Sequence, residues 1–425
     1  MSTRLIQVRI WDTLVGAVAL DPGLGYYAFE YDAAWRRRGI ELAPRTMPTA
    51  APDPIWVFPH LGESFKRLPG LLSDALPDDF GNALIDAWMA GKGVRKEEIT
   101  ALDRLAYMGK RGLGALEFRP AQGAHRESVR PLEMKSLVEA ARKVLHGDFA
   151  GDIHAQAALA NMIKVGTSAG GARAKAVIAW HPRTDEIRSG QFGTAEGFEH
   201  WLLKFDGVGR DWELGTTADY GRIEYAYYLM ATRHAGIVMS PCRLLHEHGR
   251  AHFMTKRFDR EGNTKHHIQS LCALSHLDYK QRATHAYEQY FIAIKELGLG
   301  DEGLEQGFRR MAFNVMARNC DDHTKNFGFR LRQGGRWELA PAYDVTHAHN
   351  PKGEWTSQHL MSVNGKFDAI TRDDLLTVAD RFSIPRAAAA LNTVKAALAG
   401  WRDVAKEAGI PEAKAAQVQQ DFRPV

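Results

Sequence analysis

Asp321, Asn326 and Asp344 are the residues of this 425-residue chain whose types and spacing suggest chemistry. Moving a phosphoryl group requires oxygen ligands that hold divalent metal on the phosphates, and a carboxylate that orients the acceptor hydroxyl. One arrangement that does this has an aspartate in a loop, an asparagine five residues later, and a second aspartate beyond a hairpin. Asp321 and Asn326 have that spacing, and Asp344 follows a hairpin pattern. A second reading of the same residues is structural, because aspartates crowd helix ends and turns and Asp-x-x-x-x-Asn often arises by chance.

The chemical reading depends on the elements around these residues. Leu304, Phe308, Met311, Ala312, Val315 and Met316 fall near one face at helical spacing, which predicts a helix leading into the loop. Phe327-Gly328-Phe329-Arg330-Leu331 alternates as a strand does, Gln333-Gly334-Gly335 reads as a turn, and Trp337-Glu338-Leu339 as the return strand. The hairpin would then hold Asp321 and Asn326 at its entrance and deliver Ala342-Tyr343-Asp344 at its exit.

Further upstream, Val165 to Lys175 is rich in glycine and precedes the strand-like Ala176–Trp180. Such a loop lets backbone amides approach phosphate. It carries neither a Walker A pattern nor a dinucleotide fingerprint, so from composition a surface turn competes with a phosphate loop. Trp201–Phe205 is an apolar strand interrupted by Lys204. That lysine either snorkels from an edge or places its ammonium on nucleotide phosphates. Helical pattern from Ile223 to Arg233 carries Glu224, either as a partner for Lys204 or as a solvated carboxylate near a helix start.

Composition sets bounds on these readings. Apolar content of 45% and charged content of 25% are those of a globular protein with an ample core. A formal charge of +4 is too slight to argue for a nucleic-acid surface. The three cysteines are odd in number and far apart, which predicts no disulfide framework and a reducing cytoplasm. The chain opens without a signal-peptide pattern, and no apolar run approaches membrane-spanning length, so a cytoplasmic protein is expected.

In order along the chain, Val8–Trp11, Leu14–Leu20 and Tyr26–Tyr31 read as a β-meander, Pro44–Pro54 as a connection, and Asn82–Met89 as a helix. Tyr107–Gly109 and Gly112–Phe118 close that unit. Further helices are expected at Leu132–Leu145, His285–Leu297, Ala387–Trp401 and Glu412–Gln420, and a strand over His252–Arg260 whose last residues form either an extended hinge that offers backbone groups or a strand end with a salt-bridged Arg–Asp pair.

Asp-Asp-His-Thr-Lys-Asn-Phe-Gly-Phe, followed by Leu-Ala-Pro-Ala-Tyr-Asp-Val, resembles the signature of the HipA family of bacterial serine/threonine-kinase toxins, and the likeness covers nearly the whole chain. It implies an α+β, two-lobed protein-kinase-like fold with an N-terminal β-rich subdomain and a helical C-terminal lobe. The implied boundaries are a HipA-like N-terminal subdomain over 1–122, an ATP-binding region with the Gly-rich loop and hinge over 123–260, and a mainly helical catalytic lobe over 261–425. Asp321 would be catalytic, and Asn326 and Asp344 would hold Mg2+. ATP would be bound by Gly170, Gly171, Ala172, Arg173, Lys175 and Lys204, by the hinge residues Lys256, Arg257 and Phe258, and by His323, Lys325, Asn326 and Tyr343. Lys325 would reach the γ-phosphate, His323 would brace the loop, and Glu224 would orient Lys204. The loop serine matching the family's autophosphorylated one is Ser168, with Thr167 an alternative acceptor. Arg173 and Ala174 depart from the better-known family form. Expected partners are a small helix-turn-helix antitoxin resembling HipB, operator DNA reached only through it, and a protein target such as an aminoacyl-tRNA synthetase.

Competing readings are a non-catalytic nucleotide-binding regulator acting with a DNA-binding antitoxin, a small-molecule kinase, and a metal hydrolase built on Asp321, Asp322, His323, His347 and His349.

Overall fold

The computed structural model describes residues 3–23, 25–77, 79–122, 131–146, 162, 174–208, 210–211, 215–216 and 219–425. The chain divides into two compact units. The first comprises Met1–Gly209, Lys256–Asp278 and Leu331–Gly335, and the second Arg210–Thr255, Tyr279–Arg330 and Arg336–Val425.

The first unit opens with the expected meander. Strands β1 (Leu5–Ile10), β2 (Thr13–Leu20), β3 (Tyr27–Tyr31), β4 (Ile55–Val57) and β5 (Leu116–Arg119) form one antiparallel sheet in the order β4-β3-β2-β1-β5. Period-two alternation sends Ile6, Val8 and Ile10 into the core. Ile10 pairs with Thr13, so Trp11 and Asp12 alone make the turn, and both have positive φ (47° and 57°). That geometry matches the strand twist and is usually left to Asn-Gly. Residues 44–54 are a connection without strands, as expected. It is held by Tyr31 Oη donating to the Met47 carbonyl and Arg36 Nε donating to the Thr49 carbonyl. The helix Asp79–Ala90 contains the predicted one. Trp35, Phe29, Phe65 and Phe118 are fully buried in this unit, each contributing about 1.5–3 kcal/mol.

A second antiparallel set in this unit joins β6 (Lys175–Trp180), β7 (Ile187–Ser189) and β8 (Glu199–Lys204). The strand expected over 252–260 runs instead over Arg250–Lys256. It stops because the Arg257 guanidinium turns to Asp259, and Arg260–Glu261 starts a separate two-residue ribbon with Thr264–Lys265.

The second unit is mainly helical. Its central helix, Gly300–Met316, buries Leu304, Phe308, Met311, Ala312 and Val315 on one stripe, as the spacing predicted. Tyr287–Glu296 packs beside it. The predicted helix 387–401 is broken. Ala387–Ala399 ends at Gly400, and Trp401–Glu407 begins anew with buried Trp401, whose Nε1 donates to the Ala415 carbonyl. Cys242, Cys272 and Cys320 are buried and unbridged. Among the described residues no helix is long and apolar enough to cross a membrane.

Candidate active site

The central helix ends at Met316, and Arg318 takes left-handed backbone (φ 57°) to turn the chain into the loop. Asp344 at the far end has φ 53°. Such conformations cost about 1–3 kcal/mol each in bulky residues and gather where geometry is functionally constrained. Between them Gly328–Leu331 and Trp337–Leu339 form the hairpin predicted from the alternation. Gly328 is needed there, because a Cβ would lie 2.9 Å from the Tyr343 ring. Tyr343 Oη in turn donates to the Lys325 carbonyl at 2.7 Å.

The two adjacent aspartates have opposite environments. The Asp321 side chain is 50% exposed, whereas Asp322 is fully buried. Asp322 accepts from Tyr287 Oη at 2.7 Å, from the Leu360 amide at 2.8 Å and from His359 Nδ1 at 2.9 Å. Burial alone would lower the His359 imidazole, but the Asp322 carboxylate overrides it and holds the group up to about 10. His359 Nε2 lies 3.9 Å from Cys320 Sγ.

Asn326 donates its Nδ2 to the Asp321 carbonyl at 2.8 Å, which fixes the amide and leaves its oxygen as an acceptor. Asn326, Tyr343 and Asp344 line one small cavity together with Asn319. Asn319 donates to Asn314 Oδ1 (3.0 Å) and to the Asp344 carbonyl (3.2 Å), while its own buried Oδ1 makes no hydrogen bond. A carboxylate, an amide oxygen and an orphaned buried oxygen around one cavity suit a hard cation such as Mg2+.

His323 and Lys325 flank Asp321. His323 Nε2 is 3.9 Å from Asp321 Oδ1. The His323 ring lies 5.4 Å from that of Tyr279, and Lys325 Nζ is 4.6 Å from the same ring. Tyr279, which the sequence did not single out, thus serves as a platform for both.

In the second unit Glu224 sits in the helix Tyr220–Leu229 and is buried, so it is not the solvated carboxylate of the bland reading. In the first unit Lys175 and Lys204 are direct partners across β6 and β8, with Lys175 buried. Like charges directly opposite destabilise a sheet unless an anion or carboxylate compensates.

At the hinge the Arg257 side chain takes the salt-bridged alternative, forking onto Asp259 at 2.9 and 2.6 Å. Arg260 adds a bond to the same carboxylate at 2.6 Å, and the Gly114 amide donates to it at 2.7 Å. Burial would raise the Asp259 carboxyl, and the two guanidiniums hold it well below the usual range instead. Lys256 Nζ pairs with Glu199 at 2.6 Å. Phe258 lies between Arg257 and Asp259 and is half-buried. Thr167, Ser168, Gly170, Gly171, Ala172 and Arg173 lie outside the described residues.

His347 and His349 both meet the Asp421 carboxylate, at 2.9 and 3.2 Å. Among the described residues no group of three or more His, Cys, Asp or Glu is arranged to share an ion, so the metal-hydrolase reading lacks its donor set.

A sequence model of the HipA N-terminal domain matches residues 6–119, and one of the HipA-like C-terminal domain matches residues 167–417. The chain belongs to the HipA family. Among solved structures, Shewanella oneidensis MR-1 HipA, from a toxin–antitoxin complex with HipB and its operator DNA, aligns over 98% of this chain and 95% of its own, at 16% identity and a TM-score of 0.68. That likeness shows the HipA fold, with the β-rich N-terminal and helical C-terminal regions expected from sequence. The Helicobacter pylori proinflammatory kinase CtkA aligns over 60% of this chain and 90% of its own, at 12% identity and a TM-score of 0.37. No curated protein sequence matches significantly.

Proposed function

We propose that this HipA-family protein is an ATP- and Mg2+-dependent serine/threonine protein kinase, acting in the cytoplasm as the toxin of a toxin–antitoxin pair. The observation that carries this reading is the loop itself. A half-exposed Asp321 stands beside a fully buried Asp322, with Asn326 and Asp344 on a common cavity. Asp321 orients the acceptor hydroxyl and takes its proton. Asn326 and Asp344 hold Mg2+, which neutralises charge on the phosphates when bound. Lys175 and Lys204 serve the nucleotide phosphates. Lys325, steadied on Tyr279, serves the γ-phosphate. The backbone of Lys256–Phe258 serves the base, while the Arg257 side chain remains in its clamp.

The partner is a small helix-turn-helix antitoxin through which operator DNA is reached, a reading supported by the complex of the Shewanella protein with HipB and its operator DNA. The target is a serine on a protein of the translation machinery, an aminoacyl-tRNA synthetase being one candidate. Phosphorylation of Ser168 would put about two negative charges where ATP phosphates belong and switch the enzyme off.

The test is peptide mass spectrometry after incubation with Mg2+ and ATP, beside an Asp321→Asn control. A single phosphate on Ser168 in the wild type is expected, with incorporation in the variant slower by about 100-fold or more. If neither protein is modified despite measured ATP binding and no prior phosphate, the non-catalytic regulator becomes the better reading.

A further inference from the structure

We propose that Asp322 and His359 are positioning residues that lock the loop bearing Asp321 to the segment 344–360, so that the two move as one. This rests on the phosphoryl-transfer reading for its kinetic consequence, though not for its structural one.

The argument starts from the path of the hydrogen bonds. The Asp344 carbonyl accepts from Asn319, which also donates to Asn314, and Asn314 donates to Tyr287 Oη at 3.0 Å. Tyr287 Oη donates to Asp322, and Asp322 accepts from the Leu360 amide and from His359. One buried network therefore begins at the first residue of the segment 344–360 and ends at its last. Between these ends the segment also touches the loop directly, since the Cys320 amide donates to the Ala348 carbonyl at 2.9 Å. In the loop the network holds Asp322, the immediate neighbour of the residue that faces the acceptor. Asp322 is fully buried while Asp321 is half exposed, so anchoring Asp322 inward holds Asp321 outward.

The chemistry of the anchor also points beyond simple packing. An apolar contact of similar volume is often as stable as a buried charged pair, and removing one partner of such a pair is severe. What the pair adds is direction. A carboxylate with defined donors on both oxygens holds one orientation, and misplacement of a reacting group by about 1 Å costs about 100-fold in rate.

The variants are Asp322→Asn, His359→Leu, His359→Asn and the gentler Tyr287→Phe, which removes one hydroxyl and keeps the ring. Two readouts are taken on the full chain. Hydrogen-exchange mass spectrometry follows peptides of residues 317–327 and 344–361. Phosphoryl-transfer kinetics follow kcat, KM for the acceptor, and nucleotide affinity. Joint loss of exchange protection in both peptides is expected in Asp322→Asn, His359→Leu and, to a smaller degree, Tyr287→Phe. With it, kcat should fall about 10- to 100-fold while nucleotide affinity stays within about twofold. His359→Asn, which keeps an N–H donor near the Nδ1 position, should recover most of both signals. Loss of protection in one peptide alone, or equal defects in His359→Asn and His359→Leu, would overturn the proposal. So would unchanged kcat in folded His359→Leu or Tyr287→Phe. A wild type that transfers no phosphate while its variants still lose protection jointly would sink the kinase reading and leave the coupling standing.

Discussion

The buried imidazolium of His359 gives the loop a pH signature. In an unfolded chain histidine titrates near about 6.5, and here it is held up to about 10 by Asp322, with Cys320 also nearby. A raised folded value stabilises the fold fully below the unfolded value, and that contribution fades as pH rises through the folded one. His359→Gln should therefore cost about 3–5 kcal/mol below pH ~6.5, read by urea unfolding, with the gap to wild type narrowing towards pH 10. At this scale the sequence was informative about the residues that face outward. Asp321, Asn326 and Asp344 share a short motif with a chemical rationale. It was silent about Tyr287 and His359, because each is brought to Asp322 by tertiary packing across a long stretch of chain, and about Asn314, which joins the network through Tyr287.

The elements around the site depend on close backbone approaches as much as on side chains. Gly221, in the first turn of the helix that bears Glu224, packs so tightly that a Cβ would lie 2.1 Å from the Ala251 carbonyl oxygen. Gly221→Ala must push that helix from the strand Arg250–Lys256. It should destabilise the protein by about 1–3 kcal/mol, seen as a lowered Tm with secondary structure retained. Alternation was enough to read β1–β3 and the hairpin after Asn326, because each has one face in the core. The break at Gly400 was hidden because a single glycine interrupts an alanine-rich run that otherwise continues as helix on both sides. The end of the strand near Lys256 was legible as one of two alternatives, a salt-bridged Arg–Asp pair, and the Arg257 fork onto Asp259 is that pair. The helix Arg372–Phe382 carries two signals, a capping box in which Thr371 and Asp374 satisfy each other's backbone amides and a buried stripe of Leu375, Val378, Ala379 and Phe382 at helical spacing.

For the molecule as a whole, membership of the HipA family was legible from two motifs, and the fold agrees over nearly the full length. The charge of +4 is a property of the entire chain and bears on DNA. Nonspecific affinity comes from neutralised phosphates, and a nearly balanced surface provides little of it. In a gel shift at physiological salt the protein alone should not retain operator DNA, whereas it should supershift the complex formed by its antitoxin. Direct, sequence-specific retention by the protein alone would contradict the proposed route to DNA.

The three cysteines give the chain a built-in reporter. Cys272 lies in the first unit, and Cys242 and Cys320 lie in the second, all of them buried. A thiol reagent can label none of them until the surrounding structure opens, so the rate of labelling measures local opening free energy at each position. Peptide mapping after timed labelling would resolve two separate clocks in one untagged, unmutated chain. The Cys320 clock runs at the foot of the loop itself, so slower labelling in the presence of nucleotide would register ligand-induced tightening without any assay of phosphate transfer.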